Sequence, residues 1–110
     1  MTTLSTDLIR ELNDRFRKTG FGGRIMLTHG ITSLPQPVMS TIIERVQTFD
    51  AFTPDNDPHG EHDFGAIAVS DLKVFWKIDY YAPDMMHGSE DPSDIQKTVR
   101  VLTIMLAEEY

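Results

Sequence analysis

Two histidines and three carboxylates fall within ten consecutive residues, Asn56 to Gly65, in the run NDPHGEHDFG, and Asp55 lies just before it. His59, Glu61, His62 and Asp63 are all competent ligands for a divalent metal, and Asp55 and Asp57 are near enough in sequence to join them. Such a set would suit a small metal-dependent hydrolase. The known spacings do not match, however. Asp55, Asp57, His59 and Gly60 mimic positions 1, 3, 5 and 6 of a calcium loop, but position 12, which needs a bidentate Glu, falls on Ala66. The helical pattern H-E-x-x-H is absent, and the glycine in HGEH prevents one-face helical geometry. The same residues also have a structural use. Asn56 and Asp57 before Pro58 make an Asx-type turn, Gly60 relieves a tight bend, and His62 and Asp63 buttress the loop against a sheet. A third use is a partner-binding surface of Asp55, Asp57, His59, Glu61 and Asp63. We adopt this last expectation, with no catalytic residue, metal or cofactor, and keep the hydrolase as the alternative.

Charge supports that choice. Residues 1–49 hold six basic and four acidic side chains, whereas residues 50–94 hold eleven acids against Lys73 and Lys77. A segment of net −9 repels phosphate, which argues against direct nucleic-acid binding there and favours a basic surface on a protein partner. The expected mechanism is occlusion, with carboxylates sitting where phosphates would otherwise bind.

Other motifs are weaker. FWKIDYY (residues 75–81) carries aromatic rings that stack bases in other proteins, but without basic neighbours it reads as sheet packing, with Trp76 at least half buried. Lys77 and Asp79 pair on its other face, and His62 beside them would form an acid–base set. GFGGR follows a helix rather than a strand and lacks G-K-[ST], so it is a helix stop and not a phosphate loop. His29 ends a strand, and His87 is exposed and idle.

The elements that position these residues follow from periodicity. Ser5 or Thr6 caps a first helix whose stripe is Leu8, Leu12 and Phe16, stopped by Gly20. RIMLTHG is a short strand. Ser33, Pro35 and Pro37 open a second helix with Val38, Ile42, Val46 and Phe49 buried. Residues 64–69 and 72–81 form a hairpin around Ser70 and Asp71, with Val74, Trp76, Ile78 and Tyr80 on one face. Ser93 or Asp94 caps a last helix carrying Ile95, Val99, Leu102 and Leu106. VRVLTIML is also rich in β-branched residues, but the capped apolar spacing favours helix. Glu108 and Glu109 then crowd that helix's negative end, where Arg24 or Arg100 offsets them. The order α-β-α-β-β-α predicts one α+β domain over residues 1–110, a mostly antiparallel three-stranded sheet packed with three helices.

The chain has no cysteine, no signal-peptide pattern and no apolar run of membrane-spanning length, so a cytoplasmic protein without a membrane partner is expected. LNDRFRKTGFGGRIMLTHGI, FTPDNDPHGEHDFGAI, VFWKIDYY and TVRVLTIMLAEEY together resemble a small bacterial family of unknown function. It is common in alphaproteobacteria and often borne on plasmids and integrated elements. The resemblance implies a stand-alone domain and an accessory role such as countering host restriction or CRISPR defence. It assigns no catalytic residue.

Overall fold

The computed structural model describes residues 4–110. Helix α1 (Leu4–Thr19) leads into strand β1 (Gly23–Leu27). A single-turn helix α2 (His29–Thr32) and helix α3 (Gln36–Gln47) follow, then strands β2 (Phe64–Val69), β3 (Leu72–Tyr81) and β4 (Val99–Leu106) and a 3₁₀ turn at Ala107–Glu109. The strands form one sheet in the order β1-β4-β3-β2, with β1 parallel to β4 and the other pairs antiparallel. The class is α+β as expected, but the sheet is four-stranded and mixed rather than three-stranded.

The largest correction is at the C-terminus. Residues 99–106 are not a helix but an interior strand, paired on both sides. Both of its faces are largely buried, including Val101 and Met105 on one and Leu102 and Ile104 on the other. A strand buried on both faces loses the alternation that identifies strands, and its apolar run then passes for a helical stripe. Ser93 and Asp94 accordingly cap nothing, and Asp94 instead accepts the Gln96 amide at 2.9 Å within a local turn. The third helix is α2, in a stretch expected to end a strand.

Helix α1 is present, but its buried stripe is turned by one residue. Ile9, Asn13, Phe16 and Arg17 face inward, whereas Leu8 is exposed. Ser5 and Thr6 lie inside the helix rather than at its cap. Gly20, at φ 79°, ends it, and its amide returns to the Phe16 carbonyl at 2.7 Å.

The core lies on one side of the sheet. Phe16 of α1, Ile31 of α2, and Ile42 and Val46 of α3 pack on Val74, Trp76, Ile78, Leu102 and Ile104. Trp76 is fully buried and lies over Gly65, where a Cβ would come within 2.3 Å of the indole Nε1. The opposite face carries a ring cluster in which Tyr110 meets Phe64 and Phe75 edge to face, and a Lys77–Asp79 ion pair at 3.1 Å.

Candidate functional site

The loop ending at Asp63 is tied to α1 by two linked clusters. In the first, Asn13 is fully buried and its side-chain amide donates to the Glu61 carbonyl at 2.9 Å and to the Tyr80 hydroxyl at 2.8 Å. Its side-chain oxygen accepts Arg100 Nε at 2.7 Å. Arg100 is itself buried beneath the Tyr80 ring and donates to the Pro92 carbonyl. The Tyr80 hydroxyl donates to Glu61 Oε1 at 3.0 Å, and Asp63 Oδ2 lies 3.5 Å away. One asparagine thus joins α1, β3, β4 and the loop, and its own donors and acceptor are satisfied as burial demands.

The second cluster is a ring of contacts. Arg17, 1% exposed, donates to the Val46 and Gln47 carbonyls at the C-terminal end of α3 and to Asp14 at 3.2 Å. Asp14 Oδ1 lies 2.9 Å from His62 Nδ1, and His62 Nε2 is 3.5 Å from Asp57 Oδ2. The imidazole stacks flat on Phe52 with centroids 3.7 Å apart, and the Arg17 guanidinium lies over both Phe52 and Trp76. His62 has φ 55°, a left-handed backbone that is costly for a side chain of this size and is held by these contacts. Arg10 adds a bond to the Gly60 carbonyl at 3.1 Å.

Electrostatics follow burial. Desolvation raises the Asp63 carboxyl above its usual range, and the nearby Glu61 charge adds to this. Burial also pushes the Tyr80 phenol well up, with Asp63 contributing, so it acts as a hydrogen-bond donor and not as a phenolate. Desolvation lowers both Arg17 and Arg100, and Asp14 counteracts it at Arg17.

The expected site residues therefore divide. Asp57, Glu61, His62 and Asp63 meet at the foot of the loop, where His62 and Glu61 bond to other parts of the fold. Asp55 and His59 are exposed away from them. Among the described residues, no three His, Cys, Asp or Glu side chains are arranged to hold a metal ion. His62 faces Asp14 and Asp57, not Lys77 and Asp79, which bond to each other. His87 is exposed but not idle, since its Nδ1 lies 2.9 Å from Asp84 Oδ2. Glu109 does not crowd a helix end. It accepts the Thr28 hydroxyl and the Gly30 and Leu106 amides, and these bonds, the Thr28 one foremost, hold its pKa below the usual carboxylate range.

Sequence reading missed Asn13, Asp14, Arg17 and Arg100. The signal was there, because Ile9, Asn13, Phe16 and Arg17 share helical spacing. Two polar residues on that stripe made the neighbouring Leu8–Leu12 stripe the better apolar match.

Every motif that carried the resemblance contributes to these clusters: Asn13 and Arg17 from the first, Glu61 and His62 from the second, Tyr80 from the third and Arg100 from the last. Residues 27–109 match a family described as a protein of unknown function, DUF3768. The chain belongs to the DUF3768 family. No curated protein and no solved structure matches it. Among the described residues, no helix is long and apolar enough to cross a membrane.

Proposed function

We propose that this DUF3768 protein is a non-enzymatic binding domain whose acidic end docks on a basic protein surface. One observation carries the reading. Residues 50–63 enter β2, and residues 82–98 join the end of β3 to the start of β4, so both loops lie at the same end of the sheet. Together they hold nine carboxylates, against Lys97 as the only lysine or arginine. A field of one sign concentrated at one end steers a basic partner and suppresses acidic ones.

The contact surface we infer keeps two of the five residues first expected, Asp55 and His59, and extends to the second loop. Asp50, Asp55, His59, Asp84 and Glu90 are exposed and would meet the partner. Asp57, Glu61 and Asp63 would hold the loop in shape, limiting the ordering cost of binding. The partner class that fits is a nucleic-acid-handling defence enzyme, whose phosphate-binding surface the carboxylates would occlude. The resemblance to plasmid- and element-borne proteins of alphaproteobacteria points the same way.

The test is affinity capture with the wild-type chain and with a variant combining Asp50→Lys, Asp55→Lys, Asp84→Lys and Glu90→Lys. Wild-type protein should capture a nucleic-acid-binding protein that added DNA displaces, and the variant should lose it while keeping its thermal melt. Capture that survives the charge reversal, or that DNA does not compete, would remove the occlusion mechanism.

A further inference from the structure

The flank of α1 turned away from the core reads Leu8, Glu11, Leu12 and Arg15, a single stripe at helical spacing. Two adjoining cavities of about 430 and 340 Å³ lie along it and share Leu12, Arg15 and Ile95. Leu8 closes the larger one and Phe21 the smaller. Leu8, Ile95 and Phe21 are 43%, 68% and 81% exposed, an unusual state for three large apolar side chains lining one groove. Glu11 and Arg15 are also exposed and stand in the order that favours an intrahelical i,i+4 pair. Neither forms an ion pair among the described residues.

We propose that this groove is the interface between two copies of the chain, with α1 packing antiparallel on α1 about a two-fold axis between Glu11 and Leu12. A two-fold contact must be self-complementary, because the same patch serves both sides. This stripe meets that demand. Reversing it sets Glu11 beside the partner's Leu12 and within reach of the partner's Arg15, so the apolar seam carries one favourable charge pair on each side of the axis. Phe21 and Ile95 flank the seam and shield it from water. The stripe is neutral overall, so nothing in it favours an anionic membrane or a strongly charged peptide over a second copy. Ser93, Asp94 and Ile95 of loop 82–98 border the groove, so the dimer would present two acidic ends beside its seam. The groove is short, which places the dimer among reversible, concentration-dependent ones.

Sedimentation of the full chain across the micromolar range tests this. Wild-type protein should shift from monomer to dimer mass as concentration rises. Glu11→Arg and Arg15→Glu each set like charges opposite one another and should weaken the dimer about tenfold or more. The double variant E11R/R15E should recover it. Mixing the two single variants should also recover it, since one chain then offers two arginines to the other's two glutamates. Both positions are exposed, so the variants should melt like the wild type. Monomer mass at every concentration would overturn the proposal, as would a dimer indifferent to these substitutions or one not rescued by mixing.

Discussion

Loops 50–63 and 82–98 leave the same end of the sheet and are both acidic, yet they are held in different ways. Loop 50–63 is anchored from a distance: Arg10 and Asn13 of α1 reach Gly60 and Glu61, Asp14 meets His62, and Tyr80 of β3 meets Glu61. Loop 82–98 is held mainly by its neighbours, with the Arg100 bond to the Pro92 carbonyl as its link to the core. Asp84 accepts the Met86 and His87 amides, Asp91 accepts the Ser93 amide and hydroxyl, and Ser89 meets Thr98 only nine residues away. Similar charge is thus presented on one loop that depends on the core and on another built from Asx-type turns. The first should respond more strongly when a buried residue far away in sequence changes.

Three substitutions separate the two regimes, taken from the largest expected effect. Asn13→Ala would leave the buried Arg100 Nε without its acceptor and free the Glu61 carbonyl. The loss should be about 3 kcal/mol of unfolding free energy, because a buried charged donor is orphaned. Amide exchange should accelerate more across residues 57–63 than across 84–96, which Asn13 reaches only through the Arg100 bond to the Pro92 carbonyl. Equal acceleration in both loops would show that they are not independently held.

Asp63→Asn should act in the other direction and more weakly. The native Asp63 carboxyl holds its proton more tightly than the unfolded one, whose pKa is near 3.8. Its contribution to stability is therefore present below that value and is lost as pH rises through the folded pKa. Removing the charge should stabilise the protein at pH 7 and have little effect below pH 4, as read by denaturant midpoints at the two pH values. A midpoint at pH 7 that falls would mean that the carboxylate, not burial, dominates there.

Asp91→Ala should have the smallest effect on global stability. Bonds from the Ser93 hydroxyl and amide hold this carboxylate's pKa below its usual range. The sign is opposite to that of Asp63: its contribution is present above the unfolded pKa and is lost as pH falls through the folded one. The variant should leave the thermal melt nearly unchanged at pH 7 and accelerate exchange of the Ser93 amide alone.

Much of the fold was legible from local chemistry. The α1 helix stop at Gly20, the proline-opened α3 and the two-residue hairpin each rest on contacts within a few residues. The expected Asx-type turn at Asn56 and Asp57 is not made: Asn56 accepts the Thr53 amide, three residues back, at 2.8 Å, and Asp57 accepts the His62 amide at 3.2 Å. The candidate site was half legible. NDPHGEHD marked the loop, but its anchors Asn13, Asp14, Arg17 and Arg100 lie on other elements, and the helical spacing of Asn13 and Arg17 with Ile9 and Phe16 was outweighed by the more apolar Leu8–Leu12 stripe.

The charge asymmetry, the helices α1 and α3, the β2–β3 hairpin and the polar loop follow from composition, turn residues and periodicity, which act over short distances. Only the tertiary structure decided that residues 99–106 are a strand. Their β state needs β1, whose paired residues lie 77 positions earlier in the sequence, on one side and β3 on the other. An apolar run buried on both faces carries no period of its own, so the choice between helix and strand falls to the partners that hydrogen-bond it.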